Sequence, residues 1–512
     1  MLETTPVLIG VAQITYRGTP ADAPTPLGMI TEAARRAADD AGLAPSALAA
    51  LDAIGVVGFT IDAAGSLARL AVPRLANPPR SLARALGADP RLVVYTHMGG
   101  NSPQQLINSL CERIAAGESD LALAVGAEFL GSLMKKLAQG LPFEGYGDDE
   151  AGAPERVGDP RPGVTQKEAA HGLGLPVNIY PMFENALRAR DRRSLPDHQR
   201  RLGELFSPFT EVAAANPFAW FPTRRSAEAL TTVGPDNRMI GYPYPKYLNA
   251  IMQVDQSAGV LIASVAKARA LGVPQHRWVF LHGCADAADL WYPLERQNYY
   301  SSPAMRLTGE RALAMAGIGI DDVDMIDLYS CFPAAVEIGA EELGLAIDDP
   351  RGLTVTGGLP YFGGPGNNYA MHSVATMVER LRAKPGSWGL ATANGWFLTK
   401  QSTGVYSTTE PKSAFVREDP AVIQRRIDAL PHPEVIDRPT GAAQIETYTV
   451  VHSREGYRMG IVIGRDAQGR RFVANTPSDE ATLRAMESAE QVGRQGTIRA
   501  ADDGERNLFV PA

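Results

Sequence analysis

The stretch VVYTHMGGNSPQQLI, residues 93–107, has the residue types and spacing of a ligand-binding turn. An apolar run ends at two glycines, and Asn-Ser-Pro then opens a predicted helix. A helix start presents unpaired N–H groups, which bind an anion or a polarised carbonyl oxygen. No histidine is evident to activate the nearby hydroxyl of Ser102, and its place before Pro103 favours a helix N-cap. The turn therefore predicts binding without a nucleophile.

The cysteines and histidines offer few other reactive groups. Cys111 falls in the middle of a predicted helix, which is typical of a buried, inert thiol. Cys331 is a further candidate thiol of low expected reactivity. His97 precedes the turn, where a backbone partner at a strand end is the favoured role. His372 lies on a later predicted helix and either faces a pocket or packs in the core; both interpretations stay open.

Composition narrows the class of protein. The chain has 512 residues, a formal net charge of -8 and 45% hydrophobic residues, which predicts a multidomain globular protein. No run of lysine and arginine stands out, so a nucleic-acid partner is not expected. No apolar run reaches the roughly 20 residues needed to span a bilayer. Three separated cysteines indicate neither a disulfide framework nor a zinc site, and we expect a cytoplasmic location without a bound metal.

The elements that must position the turn occur twice along the chain. Residues 7–16 and 51–60 read as buried strands separated by a helix, and residues 278–286 and 323–332 repeat that order. Each half continues with a glycine-rich turn, a helix and a further buried strand. The pattern predicts an α/β protein made of a duplicated β-α-β unit with mostly parallel sheets. Stacking the two halves would place their glycine-rich turns face to face.

Two regions break this rhythm. Residues 140–163 are rich in Gly, Pro, Asp and Glu and read as a long loop, followed by two amphipathic helices. After Pro411, polar and apolar residues come to alternate, with a hairpin at DAQG, which predicts a small all-β domain. We predict an N-terminal half (1–130 and 245–272), an inserted loop domain (131–244), a C-terminal half (273–425) and a small β-barrel domain (431–512).

Several segments resemble the thiolase superfamily. Residues 115–132, AAGESDLALAVGAEFLGS, resemble the thiolase segment that ends in Gly-x-Glu, and residues 237–264 resemble the segment that closes the family's loop region. Residues 327–345, DLYSCFPAAVEIGAEELGL, resemble the His-Asp-Cys-Phe region of sterol-carrier-protein-type thiolases, and residues 357–366 the Gly-His-Pro region. The chain is thus similar to the sterol-carrier-protein-type thiolase-like proteins of type one. This implies a duplicated βαβαβ fold in five αβαβα layers, with a C-terminal OB-like barrel.

None of the four reactive positions implied by the resemblance carries the family's residue. The nucleophilic cysteine falls on Gly100 and the second catalytic cysteine on Ala393. The histidine of Gly-His-Pro falls on Gly364, and that of His-Asp-Cys-Phe on Tyr329. A thiolase needs a thiolate to carry the acyl group between its two half-reactions. Cysteine-dependent thiolysis is therefore not expected.

Tyr329 suggests a different chemistry. Some retro-aldolases with the thiolase fold resemble this chain in lacking the cysteine and carrying tyrosine here, and a phenol can donate to an enolate oxygen or relay a proton. Their second tyrosine corresponds to Gly364, and Tyr361 lies three residues earlier, so the pair is incomplete. Those enzymes work with a separate OB-fold protein, which residues 445–464 resemble without its zinc-binding cysteines. Core packing is an equally supported role for Tyr329.

The resemblance also implies a site for a CoA thioester. The predicted substrate-binding residues lie at the glycine-rich turns and are Gly100, Asn101, Tyr361, Gly364, Asn367, Asn368, Asn394 and Gly395. The predicted CoA-phosphate residues lie in the loop region and are Arg224, Arg225 and Lys246. Arginine suits phosphate geometrically, although exposed arginines often bind nothing.

Three functions follow as hypotheses. The first is a thiolase-like protein of the acetyl-CoA acyltransferase family that binds or acts on CoA thioesters, with acyl-CoA as ligand and no covalently bound cofactor. The second is a retro-aldolase-type C–C lyase that cleaves a 3-hydroxyacyl-CoA with Tyr329. The third is a non-catalytic acyl-CoA or lipid carrier. Thiolases pair through the strand beside the nucleophile helix, so a homodimer is expected unless the extra barrel covers that surface.

Overall fold

The structure is a computed structural model that describes residues 2–62 and 67–512. Its strands are β1 (Pro6–Thr15), β2 (Ala53–Val56), β3 (Leu92–Thr96), β4 (Leu121–Phe129), β5 (Glu155–Val157), β6 (Met239–Gly241), β7 (Tyr244–Pro245), β8 (Asp255–Ser264), β9 (Phe280–Ala288), β10 (Met325–Asp327), β11 (Trp388–Gly395), β12 (Lys400–Ser407), β13 (Gly441–His452), β14 (Tyr457–Asp466), β15 (Arg471–Asn475), β16 (Gln495–Ala500) and β17 (Asn507–Pro511). Its helices are α1 (Pro26–Asp40), α2 (Pro78–Leu86), α3 (Ser102–Ala115), α4 (Leu130–Gln139), α5 (Gln166–Ala170), α6 (Pro176–Arg190), α7 (Leu195–Ala215), α8 (Ala227–Thr231), α9 (Val265–Ala270), α10 (Pro303–Ala316), α11 (Pro333–Glu342), α12 (Tyr369–Ala383), α13 (Pro420–Asp428) and α14 (Glu480–Ser488).

The duplicated unit is confirmed by the two central sheets. One sheet has the order β1-β8-β4-β2-β3-β5, and the other has the order β10-β11-β12-β9. The second sheet, written as β9-β12-β11-β10, repeats the order β1-β8-β4-β2 of the first sheet. At the position that corresponds to β3, the backbone N–H of Leu328 donates to the Leu353 carbonyl. Both sheets are mixed: three of the five pairings in the first sheet are parallel, as expected, but only one of the three in the second sheet is. The last strand of each half returns antiparallel between the first and fourth strands.

The five αβαβα layers follow from which faces the apolar residues bury. Helices α3 and α12 lie between the two sheets, where Leu106 and Val374 share one buried cluster with Leu8 of β1 and Val279 beside β9. Helix α1 covers the outer face of the first sheet, and Ala33 and Ala37 are fully buried there. Small alanine side chains let the helix backbone approach the sheet closely.

The predicted inserted region contributes strands to both neighbouring units. β5, within the predicted loop 140–163, pairs in parallel with the outer edge of β3. The short strands β6 and β7 extend the C-terminal sheet, where Gly241 pairs with Val451. Helices α6 and α7 lie between them in the chain and pack on α11 of the second half.

The C-terminal region forms a closed barrel of five strands in the order β14-β15-β17-β16-β13, with β13 also pairing with β14. The hairpin predicted at DAQG joins β14 to β15. The expectation of an all-β domain is wrong in one element, because helix α14 lies between β15 and β16 and buries Leu483 and Met486 against the barrel core. No helix among the described residues is long and apolar enough to cross a membrane.

Candidate functional site

The turn at residues 99–101 lies where the two halves meet. β3 ends at Thr96, and α3 begins at Ser102, so the glycines sit at a strand-to-helix junction as predicted. A Cβ atom added at Gly100 would overlap the hydroxyl of Tyr329, and it would lie 2.7 Å from Tyr329 Cζ and 2.5 Å from the Asn394 carbonyl oxygen. The phenol of Tyr329 therefore occupies the space that a side chain at position 100 would need.

Tyr329 is held firmly in this place. Its backbone N–H donates to Thr392 Oγ1 at 2.9 Å, and its ring packs edge-to-face on Tyr369 at 5.3 Å between centroids. Among the described residues none hydrogen-bonds to its hydroxyl, which leaves one O–H donor free. Burial raises the pKa of this phenol far above its ordinary value, so it stays protonated at neutral pH.

The second glycine-rich turn is tied to the first by asparagine side chains. Asn367 Oδ1 accepts from the backbone N–H of Gly99 at 2.9 Å, and its Nδ2 donates to the carbonyl of Gly58 at 2.7 Å. Asn368 Nδ2 donates to the carbonyl of Gly126 at 2.8 Å. The predicted meeting of the two turns is confirmed. The two amides act first as braces between the halves, and their role in binding substrate stays a prediction.

A third segment, at the end of β11, completes the junction. Asn394 Nδ2 donates to Tyr180 Oη at 2.8 Å, and Asn394 Oδ1 accepts from Gln401 Nε2 at 3.4 Å. A Cβ added at Gly395 would lie 2.5 Å from Asn101 Oδ1, an oxygen that is buried and has no partner among the described residues. The structure thus brings together Gly100, Asn101, Asn394 and Gly395.

Tyr361 and Gly364 lie on the loop that leads into α12. The Gly364 backbone N–H donates to the Ile251 carbonyl at 2.8 Å, and a Cβ added there would lie 3.3 Å from that same oxygen. Tyr361 is buried edge-to-face against Phe206, and its hydroxyl has no partner among the described residues. Ala393, on β11, is buried as well. These positions offer neither a nucleophile nor a base.

The three predicted phosphate-binding cations differ in how they are engaged. Arg224 forms an exposed ion pair with Glu211 at 2.9 Å. Arg225 stacks over the ring of Tyr247 at 4.3 Å, and its charge acts on Tyr361 to lower that pKa, against the larger effect of burial. Lys246 is exposed beside Tyr247. Arg225 therefore lies near Tyr361, and Lys246 directly precedes the tyrosine on which Arg225 stacks.

Ser102 and His97, the candidates beside the first turn, make contacts that support the local structure. Ser102 is the first helical residue rather than the N-cap, and its hydroxyl donates to the His97 carbonyl at 2.8 Å. The N-cap expectation is wrong because Asn101 takes that place with a helical backbone. His97 Nδ1 lies 3.4 Å from Arg156 Nη2, so a side chain rather than the backbone faces its ring.

The remaining candidates, one histidine and two cysteines, have buried side chains. His372 is fully buried beside Gln13, and burial lowers its pKa to about 3. Burial raises the pKa of Cys331 to about 12, so its thiol is not a nucleophile at neutral pH. Cys111 is fully buried in α3, as predicted.

Two residues at the junction were missed by the sequence reasoning. Tyr180, from α6 of the inserted region, hydrogen-bonds Asn394 and the Leu398 N–H, and stacks on Phe332 at 4.4 Å. Lys400, the first residue of β12, extends its side chain against Gly99 and Gly395. Lys400 had a detectable signal, because it is a single charge in the otherwise uncharged run GWFLTKQST. Tyr180 had none, since an aromatic residue on a helix face is typical of core packing.

Comparisons with known proteins bear on the family and the fold. A family model described as the thiolase-like protein type 1 additional C-terminal domain matches residues 422–504. The structure of a monomeric SCP2-thiolase-like protein type 1 from Mycobacterium smegmatis is 38% identical in sequence, covers 100% of both chains and superposes with a TM-score of 0.85. The chain belongs to the SCP2-thiolase-like protein type 1 family.

More distant relatives share part of the chain or the fold alone. A 3-ketoacyl-CoA thiolase of Shewanella baltica is 33% identical over 143 residues, which are 27% of this chain and 33% of that protein. The chain therefore spans a third of the length of the curated relatives it matches. The Ltp2-ChsH2(DUF35) aldolase (20% identity, 79% of this chain and 98% of that chain, TM-score 0.58) shares the fold. So does the dimeric peroxisomal thiolase of Saccharomyces cerevisiae (14% identity, 80% and 98% coverage, TM-score 0.55).

Proposed function

We propose that this protein binds a CoA thioester at the junction of the two glycine turns and does not carry out cysteine-dependent thiolysis. The observation that carries the proposal is the overlap at Gly100, where the Tyr329 phenol fills the space of a nucleophilic side chain. A protein that kept the thiolase junction but filled the nucleophile's place would retain a surface for the thioester and lose the covalent step. The similarity of one segment to 3-ketoacyl-CoA thiolases supports the class of ligand.

The cations beside Tyr361 support a site for the CoA phosphates. Arg225 and Lys246 have no carboxylate partner among the described residues, whereas Arg224 is engaged by Glu211. A guanidinium with free N–H groups pairs well with phosphate. We therefore expect Arg225→Ala to weaken CoA binding more than Arg224→Ala in calorimetric titrations. Equal losses in the two variants would remove this part of the proposal. No covalently bound cofactor is part of the proposal.

A second candidate function is C–C bond cleavage of a 3-hydroxyacyl-CoA. The observation that favours it is the free hydroxyl of Tyr329, which is protonated at neutral pH and has no internal partner among the described residues. Such a phenol can donate a hydrogen bond to the thioester oxygen as it becomes an enolate. It cannot serve as the base, since burial disfavours the phenolate. A non-catalytic acyl-CoA or lipid carrier is the function that remains if no turnover occurs.

One experiment separates these functions. Purified protein is incubated with 3-ketoacyl-CoA and 3-hydroxyacyl-CoA panels, with and without free CoA, and the products are identified by mass spectrometry. Cleavage of a hydroxy substrate that falls about 100-fold or more in Tyr329→Phe would establish the lyase, provided that CoA binding changes by less than about 3-fold. CoA-dependent shortening of a keto substrate would overturn the proposal, because it requires an acyl acceptor such as a thiolate. An unchanged panel with measurable CoA binding supports the carrier.

We infer that the protein is a monomer rather than the homodimer that the resemblance implies. The outer edge of β3, the strand before the turn, is already paired with β5 of the same chain. A second copy could not add its own strand at that edge without displacing β5. The M. smegmatis relative is described as monomeric. Sedimentation at several protein concentrations tests this.

The three free thiols are buried, in keeping with the cytoplasmic location we expect.

A further inference from the structure

Lys400 lies against the glycine junction, with its side chain next to Gly99 and Gly395. A Cβ added at Gly99 would lie 2.9 Å from both Cε and Nζ of Lys400, and one added at Gly395 would lie 3.2 Å from its Cε. Nζ donates to the carbonyl of Met98, immediately before the turn. A side chain at either glycine would press against the end of this lysine. The ammonium group lies beside the residues proposed to hold the thioester.

This lysine is buried without a neutralising partner. Only 5% of its surface is exposed, and no carboxylate of the described residues forms an ion pair with it. Its Nζ lies 5.4 Å from the ring centroid of Trp396 and 5.8 Å from that of Trp291. Asp159, the acid whose charge acts on Lys400, is bound by Arg161, which donates to both of its oxygens. An amine in such surroundings is easily deprotonated and becomes nucleophilic.

The charged groups around Lys400 act in both directions. Burial lowers its pKa to about 8; Asp159 opposes this shift and Arg161 adds to it. Burial, and then the charges of Arg156 and Lys400, lower the pKa of the nearby His97 imidazole. Near pH 8, about half of the lysine is then the free amine, against less than about 1% for an exposed lysine of ordinary pKa.

The chain offers a matched comparison within itself. Lys136 is the other buried lysine of the eight in the sequence, with 6% of its surface exposed. Its Nζ lies 5.6 Å from the Tyr146 ring centroid and donates to the Pro142 carbonyl at 3.3 Å. Burial and aromatic contact are thus similar, but Lys136 lies on α4, away from the glycine junction. A difference between the two lysines would therefore not follow from solvent exposure and aromatic contact alone.

We propose that Lys400 is an acyl-acceptor site, whose amine takes the acyl group from a CoA thioester bound at the glycine junction. The Nζ lone pair attacks the thioester carbonyl carbon, and the C–S bond breaks with its electron pair passing to sulfur. The proton lost by nitrogen goes to the thiolate, so the products are an N-ε-acyl-lysine and free CoA. No oxidant, reductant or further reactant is needed. The inference rests on the proposed binding of CoA thioesters.

The test uses acetyl-CoA and the full-length protein, with acetylated peptides mapped by mass spectrometry over time. We expect acetylation of Lys400 about 10-fold or more faster than that of Lys136 or of any exposed lysine. The rate should rise with pH and level off above about pH 8, where the amine is already deprotonated. Lys400→Arg should abolish the fast modification and Lys136→Arg should leave it unchanged. The comparison of Lys400 with Lys136 is made in the protein without substitutions. A folding defect in Lys400→Arg would therefore not hide the result.

Binding is measured separately to keep the two proposals distinguishable. Calorimetric titration with CoA, which carries no acyl group, tests the proposed function alone. If CoA binds and Lys400 acetylates no faster than exposed lysines, the acyl-acceptor proposal is wrong and the binding function stands. If CoA does not bind, acetyl N-acetylcysteamine serves as a thioester without the nucleotide. Selective acetylation of Lys400 by that probe would support the reactive amine, and indiscriminate labelling would overturn it.

Discussion

The two glycine-rich turns correspond to each other in the duplicated halves, yet they tolerate change very differently. At Gly100 an added Cβ would meet the Tyr329 phenol and the Asn394 carbonyl. At Gly364 the nearest atoms would be the Ile251 carbonyl oxygen at 3.3 Å and a leucine methyl at 3.4 Å. Glycine is therefore required by packing at the first turn, whereas at the second turn it is one of several small residues that would fit.

This difference in packing concerns the two positions, Gly100 and Gly364, that the resemblance aligns with a cysteine and a histidine. The absence of a nucleophile at Gly100 is coupled to the presence of Tyr329, because both cannot have side chains in one space. Restoring a cysteine at position 100 would not restore a thiolase unless Tyr329 also became smaller. At Gly364 an added Cβ meets a milder barrier, at 3.3 Å from the Ile251 carbonyl oxygen. Packing between the halves thus excludes a side chain at Gly100 more strongly than at Gly364.

The largest expected effect is that of Gly100→Ala. The added methyl group must displace a buried phenol or a backbone carbonyl, and overpacking of this kind costs about 3 kcal/mol. Urea unfolding is measured for Gly100→Ala, for Tyr329→Ala and for the double variant. The three losses of stability give the cost of each change and the coupling between the two positions. We expect the double variant to lose less than the sum of the two single changes. Additive losses would mean that the two side chains do not compete for the same space.

A loss of about 2 to 3 kcal/mol is expected for Asn367→Ala, because the change leaves the buried N–H of Gly99 and carbonyl of Gly58 without their partner. Asn368→Ala is the matched control, since its side chain makes one bond, to the Gly126 carbonyl, and leaves Oδ1 unpaired. Chemical unfolding of both variants compares them. If Asn368→Ala costs as much, the brace between the turns does not depend on Asn367.

The inserted region reaches the junction through α6, and a buried cluster holds that helix to its neighbours. Glu184 Oε1 lies 2.7 Å from His198 Nε2, and Tyr244 donates to Glu184 Oε2. Glu337 accepts from Arg201 at 2.8 Å and from Arg193 at 3.3 Å. One atom from each of Glu184, His198 and Glu337 lies within 4.8 Å of the others. Arginine only donates, so the contact of Arg193 with His198 Nδ1 assigns the ring proton to Nε2, facing Glu184.

Stability should therefore depend on pH through Glu337. Burial and the nearby Glu184 raise its pKa to about 7, above the value of about 4.5 for an exposed glutamate. The protonated form is favoured in the native state, so the contribution of this group to stability is full below about pH 4.5 and is lost as the pH rises through about 7. Between about pH 5 and pH 8 the loss is about 2 kcal/mol. Glu337→Gln should flatten the pH profile in urea unfolding, although Glu128 and Asp327 contribute similarly. An unchanged slope would show that Glu337 is already ionised in the native protein.

A smaller effect, about 1 kcal/mol, is expected for Tyr180→Phe, which removes the hydroxyl that bonds Asn394 and the Leu398 N–H while keeping the ring stacked on Phe332. The thermal midpoint should fall by a few degrees. CoA binding should weaken by more than stability alone explains if Asn394 belongs to the site. Unaltered binding would confine Tyr180 to a structural role.

The smallest effect belongs to Gly364→Ala, which we expect to cost less than about 1 kcal/mol because the neighbouring atoms need to move by only a few tenths of an ångström. Its thermal midpoint should lie within a few degrees of the unmodified protein. A loss as large as that of Gly100→Ala would remove the contrast between the turns.

Much of the architecture could be predicted from the sequence. The helix that follows each glycine turn and the order of strands follow from apolar periodicity and from residues such as Gly117 that end helices. β5 was missed because the residues Glu155–Val157 have no apolar pattern; they form a strand because the edge of β3 offers unpaired N–H and carbonyl groups. Helix α14 was missed because its short amphipathic pattern lies within a stretch of alternating strands.

For the site, local sequence determined that the turns carry glycine and asparagine, and the resemblance then predicts, without any coordinates, that cysteine-dependent thiolysis is absent. Only the tertiary structure decided why Gly100 cannot carry a side chain, that Asn367 braces one turn to the other, and that Lys400 is buried against both. The physical reason is that steric exclusion and desolvation depend on atoms that are close in space and distant along the chain. Residue types at the turns predict that a nucleophilic cysteine is absent, and packing determines which other side chains lie at the junction.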